Sequence, residues 1–267
     1  MIRRPAVAGR FYPGNKRDLQ EELRRCIEKS ASPRRVIGVI SPHAGYMFSG
    51  GCAGKAFGMV EIPETVVILG VDHRRSSGYS FAVDGNECWR TPLGDVKIDG
   101  RLRRRLLARS ALFRSTSGAG TREHSLEVQV PFIQYLNPQA KILPILISSG
   151  DSAALIEAGE RLAESIEESG DVLLLASTDM SHFLDADLAE KYDRMAVERI
   201  ERLDPAGLFD VVRANGISMC GVEPTATMLA AARKLGATES EVVEYTNSGF
   251  VSGDKSEVVA YLSMLVH

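Results

Sequence analysis

The sequence predicts an α/β fold: a single three-layer domain over residues 1–267, with a mixed central sheet and helices on both faces. Short runs of Val, Ile and Leu alternate with stretches of helical periodicity, a pattern typical of a sheet buried on both sides. A turn-like Asp84-Gly85-Asn86 between two β-rich segments predicts antiparallel strands as well. The sheet is therefore expected to be mixed.

The elements follow from these patterns in chain order. Continuous or alternating apolar runs predict strands over residues 36–40, 65–71, 80–84, 87–98, 142–147, 172–176, 242–245 and 258–265. Helical periodicity predicts helices over residues 49–60, 126–136, 151–170, 185–203, 205–214 and 223–235. The turn at residues 84–86 is expected to pair the third strand with the fourth, and residues 242–245 are expected to pair with residues 258–265.

Composition excludes several classes of protein. With 35 acidic and 32 basic residues the chain lacks the basic bias of nucleic-acid-binding proteins. No apolar run approaches the roughly 18 residues of a membrane helix, and charges interrupt the first ten residues too often for a signal-peptide core. Four cysteines without a Cys-x-x-Cys pair argue against a disulfide framework. A cytoplasmic location, with no nucleic-acid or membrane partner, is expected.

The histidines carry the most information about function. His43, His73 and His182 each follow a predicted buried strand within a short polar string. In open α/β sheets, ligands bind beyond the carboxyl ends of the strands. Imidazoles gathered there are typical of a metal site or an acid/base site.

Each histidine also has a plainer interpretation. His43 could cap a turn, and His182 could belong to a helix-capping cluster. Asp72 could orient the ring of His73, as metal-bound histidines usually require, or could be a turn residue. His124 opens a predicted helix in a spacing that matches no metal motif, so capping and catalysis both remain open for it.

Cys220 lies immediately before the predicted helix over residues 223–235. A thiol near a helix N-terminus is expected to have a lowered pKa, which favours the metal-binding thiolate. The alternative is a small buried core cysteine. The chain contains no phosphate-binding Gly-rich motif and no Gly-x-Ser-x-Gly, so neither a nucleotide nor a serine nucleophile is predicted.

Five segments together resemble the Memo family, and they occur in family order along nearly the whole chain. They are residues 5–13 (PAVAGRFYP), 41–46 (SPHAGY), 123–127 (EHSLE), 178–182 (TDMSH) and 219–221 (MCG). Memo proteins resemble the catalytic subunit of class III extradiol dioxygenases. The resemblance implies that fold, with the site at the strand ends.

Extradiol dioxygenases hold ferrous iron (Fe²⁺) with two histidines and a carboxylate, and leave positions open for catechol and oxygen. By resemblance, His43 and His73 are the metal-binding histidines, and Cys220 stands where the carboxylate would be. A thiolate makes the site softer, so that copper or zinc can compete with iron.

The resemblance also implies roles in proton transfer. His182 is the acid/base histidine, His124 is a catalytic-site histidine that supports the metal or faces the substrate, and Asp179 orients His182 or the metal.

The sequence as a whole predicts a metal-dependent redox enzyme, dioxygenase-like, that acts on a small aromatic or enolic substrate. Tyr46, Phe48 and Phe183 lie close in sequence to the site residues and suit a flat ligand. Two alternatives stay open. The pocket could bind a peptide or partner protein without chemistry, or the same ligands could hold zinc and activate water for hydrolysis.

Overall fold

The computed structural model describes residues 1–116 and 120–267, and these residues build a mixed α/β fold around a nine-stranded sheet. The strands are β1 (Ile2–Arg3), β2 (Gly38–Ser41), β3 (Thr65–Val71), β4 (Phe81–Asp84), β5 (Cys88–Thr91), β6 (Gly94–Lys97), β7 (Phe113–Thr116), β8 (Lys141–Ile147), β9 (Val172–Ser177), β10 (His182–Leu184), β11 (Ser240–Asn247) and β12 (Val258–Val266). The helices are α1 (Lys16–Cys26), α2 (Tyr46–Met59), α3 (Gly100–Arg109), α4 (Val130–Leu136), α5 (Ser152–Ile166), α6 (Ala186–Glu201), α7 (Pro205–Asn215), α8 (Val222–Lys234) and α9 (Gly249–Ser252). A 3₁₀ turn, Glu127–Gln129, leads into α4.

The large sheet has the strand order β10-β12-β2-β9-β3-β8-β4-β7, and β11 also pairs with β12. Its centre is parallel: β2 pairs with β9, β9 with β3, and β3 with β8. Ser41 at the end of β2 lies opposite Ser177 at the end of β9. The carboxyl ends of β2, β9 and β3 therefore meet at one edge of the sheet.

Helices bury both faces of this parallel centre. Helix α8 packs on β2, β3 and β9, with α5 behind it, while α2 packs on β2, β11 and β12 with α1 behind it. Gly54 allows the close approach of α2 to α1, since a Cβ there would lie 2.1 Å from the backbone oxygen of Cys26. Helix α6 is the longest described helix at 16 residues, and no helix in the described ranges is long and apolar enough to span a bilayer.

The predicted α/β fold with a mixed sheet is confirmed, but the predicted pairing of residues 80–84 with residues 87–98 is wrong. Strand β4 pairs with β7 and β8, whereas β5 and β6 form a hairpin that joins β1 in a separate three-stranded sheet. The carboxylate of Asp84 accepts a hydrogen bond from the backbone N–H of Asn86 at 2.8 Å, and this turn directs the chain out of the large sheet. Pro92, which has no N–H to donate, divides residues 87–98 into two strands.

Candidate metal centre

The carboxyl edge of the parallel strands brings together three of the predicted site residues. His43 follows β2, His73 follows β3, and Cys220 comes from the loop before α8. One potential ligand atom from each lies within 4.8 Å of the other two. The juxtaposition follows from topology, because β9 alone separates β2 from β3 in the sheet.

The hydrogen bonds of His43 fix where its ring proton sits. Its Nδ1 lies 3.0 Å from the Ser177 hydroxyl oxygen, and that hydroxyl donates its only proton to the backbone oxygen of Ser125 at 2.6 Å. The same hydroxyl oxygen accepts a bond from the side-chain amide of Gln129 at 2.9 Å. It must also accept from His43 Nδ1–H, so Nε2 of the neutral ring carries a lone pair. That Nε2 lies 3.2 Å from the sulfur of Cys220.

Burial keeps both of these groups uncharged. His43 is 1% exposed, and burial followed by the charges of His124 and His73 holds its pKa well below the usual range. Burial, with the nearby charge of Asp179, raises the pKa of the Cys220 thiol. The predicted lowering of that thiol pKa is therefore wrong for the metal-free chain. Cys220 lies before the first turn of α8 and loses more from desolvation than it gains from the helix end.

His73 is oriented by Glu123, not by its neighbour in sequence. The carboxylate of Glu123 accepts hydrogen bonds from the backbone N–H and from Nδ1–H of His73, both at 3.0 Å. Burial acts to raise the pKa of Glu123, but the hydrogen bond and charge of His73 outweigh it and lower the pKa to about 2. Asp72 is the turn residue of the two alternatives, since its carboxylate accepts from the backbone N–H groups of Ser76 and Ser77.

His124 lies beside this arrangement. Its ring stacks on that of His73 with centroids 4.7 Å apart, and Phe11 covers it at 4.8 Å. Burial lowers its pKa to about 4, with the charge of His73 acting in the same direction and that of Glu123 against it. His73, Glu123 and His124 form a second group with potential ligand atoms within 4.8 Å of one another.

Asp179 contacts His43 and Cys220. Its carboxylate accepts the backbone N–H of His43 at 2.7 Å, and its own backbone N–H donates to the Cys220 sulfur at 3.3 Å. Burial raises the pKa of Asp179 to about 6. The ring of His182 is oriented differently from the prediction, because its Nδ1 lies 3.0 Å from the backbone oxygen of Ser218. A carbonyl only accepts, so Nδ1 carries a proton and Nε2 is the nitrogen left to face a ligand.

Sequence reasoning missed four residues that orient the histidines: Ser177, Gln129, Glu123 and Ser218. Glu123 lies within the motif of residues 123–127, while Ser177 and Ser218 lie directly before the motifs of residues 178–182 and 219–221, and this was the one available signal for them. Their partners are distant in sequence, 50 residues in the case of Glu123 and His73. A local sequence pattern does not show which distant residues form such hydrogen-bonded pairs.

The three aromatic residues expected near a ligand occupy different environments. Tyr46 is buried and donates its hydroxyl to the backbone oxygen of Val128 at 2.6 Å, so it is a core residue. Phe48 lines a separate cavity of about 490 Å³ together with Phe11. Phe183 is 72% exposed.

A second cleft opens on the candidate ligands themselves. It has a volume of about 420 Å³ and is lined by His73 and Cys220. Arg75 lines it on the side of β3, and residues from the end of α7 to the start of α8 line the other side. Its size is that of a site for a small ligand.

Comparisons with known proteins cover nearly the whole chain. A family model described as Memo-like protein matches residues 3–265. A MEMO1 family protein of Methanopyrus kandleri is 38% identical over 280 residues, which cover 99% of this chain and 99% of that protein. A MEMO1 family protein of Aquifex aeolicus is 40% identical over 270 residues, covering 99% and 98%.

A similarity to a solved structure concerns the fold. The crystal structure of an uncharacterized protein from Escherichia coli has a TM-score of 0.59 against this chain at 14% identity, and covers 87% of this chain and 100% of its own. At that identity the similarity concerns the fold alone.

Proposed function

The chain belongs to the Memo-like family, and on that premise we propose that it is a cytoplasmic, metal-dependent redox enzyme of the dioxygenase-like kind. The proposed metal ligands are His43, His73 and Cys220, and the proposed substrate is a small phenolic or enolic molecule. One observation carries the proposal: two histidines and a cysteine place potential ligand atoms within 4.8 Å of one another at the edge of a parallel sheet.

The chemistry of these donors suits a transition metal. His43 and His73 each use Nδ1–H in a hydrogen bond to Ser177 or Glu123, which leaves Nε2 as the ligand atom. Metal-bound histidines usually have their second nitrogen held in this way. The Cys220 sulfur lies 3.2 Å from His43 Nε2, and metal binding at this pair would release the thiol proton.

Nitrogen and thiolate donors leave several metals in competition. Ferrous iron is the first expectation, and the soft sulfur of Cys220 allows copper or zinc to compete with it. The backbone N–H of Asp179, 3.3 Å from that sulfur, would stabilise its negative charge. A redox-active ion with open coordination positions would supply polarisation of the substrate oxygen and activation of dioxygen.

The remaining residues bind, orient and move protons. His182, whose Nδ1 is held by the backbone oxygen of Ser218, presents Nε2 as the nitrogen that would take the proton of the substrate hydroxyl. Asp179 holds the backbone of His43 through a bond of 2.7 Å and acts as a positioning residue for that ligand. His124, neutral above a pKa of about 4, packs against His73 and offers a ring nitrogen to the substrate.

Oxygen consumption is the test of this function. Protein loaded anaerobically with ferrous iron, copper or zinc is mixed with a panel of catechols and enols, and oxygen uptake is followed. The proposal expects uptake with iron or copper and a loss of about 10²–10⁴ in turnover for His182→Ala at unchanged metal content.

The alternatives give different results in the same assay. Zinc-dependent hydrolysis of an ester panel without oxygen uptake would favour the hydrolase. No turnover with any metal, together with metal binding unaffected by Cys220→Ala, would contradict the proposal.

A further inference from the structure

The cleft of about 420 Å³ that is lined by His73 and Cys220 is also lined by an exposed arginine, Arg75. Arg75 is exposed, and within residues 1–116 and 120–267 its guanidinium makes no hydrogen bond or ion pair. The other arginine that lines the cleft, Arg213, is paired with Glu223 at 3.2 Å. Arg75 is therefore the cation of this cleft that is free to meet a ligand.

One of the two positive charges that line the cleft has no partner, so the cleft favours a negatively charged ligand. Arg75 and Arg213 are balanced formally by Asp72 and Glu223. Both carboxylates are already engaged, however: Glu223 by Arg213, and Asp72 by the backbone N–H of Ser77 at 2.8 Å and by Ser76. An arginine without a partner is the group best suited to a planar carboxylate, which it can bind through two parallel hydrogen bonds.

The turn holds Arg75 in place on this side of the cleft. Its backbone N–H donates to the backbone oxygen of Asp72 at 3.0 Å, and its φ of 48° lies in the left-handed region. Asp72 itself is 2% exposed, so the turn is anchored in the protein. The turn begins directly beside His73, and this connects the position of the arginine to that of the proposed ligand.

Apolar residues line part of the other side of the cleft, beside Arg213 and Glu223. They are Val212, Ile217, Met219 and Val222, and each is less than 9% exposed. Where these side chains reach the cleft, they can contact the face of a ring or of a conjugated chain. The cleft thus combines ligand atoms of a proposed metal, a few apolar groups and an exposed cation in one lining.

We infer that this cleft binds a carboxylate-bearing phenolic or enolic acid, with the carboxylate on Arg75 and the hydroxyl end toward His73 and Cys220. The placement of the hydroxyl end rests on the proposed function. Recognition of the carboxylate does not, because Arg75 carries its charge with or without a metal.

The test compares acids with neutral analogues. In the metal-free protein, binding of benzoate and benzamide is measured by NMR titration. In the metal-loaded protein, 3,4-dihydroxybenzoate and catechol are compared by calorimetry. The acid should bind about tenfold more tightly than its neutral analogue in each pair, a preference of the size expected for one charge-assisted contact near solvent.

Three variants test whether Arg75 causes the preference for the acid over its neutral analogue. Arg75→Asn removes the charge and keeps a residue that tolerates the left-handed region, so it should abolish the preference. Arg75→Lys should keep part of it. Arg74→Asn is the matched control, since Arg74 is also exposed but does not line the cleft, and it should leave the preference unchanged.

The outcomes separate this inference from the proposed function. If the chain binds no metal but benzoate is still preferred through Arg75, the carboxylate site stands and the metal proposal fails. Equal binding of acid and neutral analogue, no binding of either, or a preference that survives Arg75→Asn overturns the inference.

Discussion

A buried carboxylate ties the N-terminal segment to the site motif around His124, and its removal has a calculable effect on stability. Glu127 is 1% exposed, and one of its oxygens accepts bonds from Arg3 at 2.6 Å and from the backbone N–H of Ala6 at 2.8 Å. The other oxygen accepts from the backbone N–H of Val7 at 3.0 Å and from the hydroxyl of Tyr12 at 2.7 Å. All four groups that contact the Glu127 carboxylate are hydrogen-bond donors.

Glu127→Gln keeps the size of the side chain but replaces one acceptor by an NH₂ group that faces donors in either orientation. The change also leaves the guanidinium of Arg3, 3% exposed, without its ion-pair partner. Breaking a buried ion pair by neutralising one member costs about 3–5 kcal/mol. With a urea m-value of about 3 kcal/mol/M for a chain of this size, the midpoint should fall by about 1–1.7 M.

The fluorescence of Trp89 reports this unfolding directly. It is the single tryptophan of the chain, is 1% exposed, and has the guanidinium of Arg3 4.0 Å above its ring. Glu64→Gln is the matched control, because it neutralises the 73%-exposed partner of Lys141 and should change stability by less than about 1 kcal/mol. A midpoint for Glu127→Gln within about 0.3 M of the wild type would show that the buried pair of Arg3 and Glu127 does not stabilise the fold as expected.

Three further changes test other parts of the structure. Gly54→Ala should destabilise the fold by about 2 kcal/mol or more in thermal unfolding, since its Cβ would lie 2.1 Å from the last carbonyl oxygen of α1. Gly51→Ala is the control in the same helix: a Cβ there meets nothing within 4 Å, so this change should stabilise the fold by up to about 1 kcal/mol. Equal changes in stability for the two variants would contradict this expectation. Because burial raises the pKa of Asp179 from 3.8 to about 6, the folded chain keeps a proton that the unfolded chain releases, and the stability contributed by this carboxyl is lost as the pH rises through about 6. With metal removed, the free energy of unfolding of Asp179→Asn in urea should therefore be about 1–3 kcal/mol higher than that of the wild type at pH 8 but not at pH 4. An equal difference at both pH values would be inconsistent with the raised pKa. Ser177→Ala leaves the Nδ1–H of His43 without its acceptor and should weaken metal binding by about 10–100-fold in a competition titration, with unchanged affinity as the contrary result.

The central strands were predictable because burial on both faces leaves a plain signal. The apolar run over residues 65–71 coincides with β3, and the run over residues 172–176 falls within β9. Strands β1 and β10, of 2 and 3 residues, are too short to show any periodicity.

Strand partners were less predictable than the strands themselves. The turn after β4 suggested a hairpin, yet β4 pairs in parallel with β7, which comes after helix α3. A local turn motif shows that the chain changes direction, but the sheet position of the next strand depends on packing that involves distant residues.

The candidate site was likewise predictable only in part. The positions of His43 and His73 at the ends of two buried strands followed from the pattern of strands, and the structure brings them together with Cys220 across the intervening β9. The pKa of the cysteine did not follow, because its desolvation depends on what covers it. The orientation of His73 by Glu123, 50 residues away in the chain, had no local sign either.

The metal content of the purified protein tests the central claim most directly. The protein is purified anaerobically without an affinity tag, and iron, copper and zinc are measured in the wild type, Cys220→Ala and Cys88→Ala, the last being a cysteine in the separate small sheet. We expect about one iron or copper ion per chain in the wild type and in Cys88→Ala, and its loss in Cys220→Ala. A Cys220→Ala variant that keeps the full metal content, or a wild type that binds none after loading with ferrous iron or copper, would contradict it.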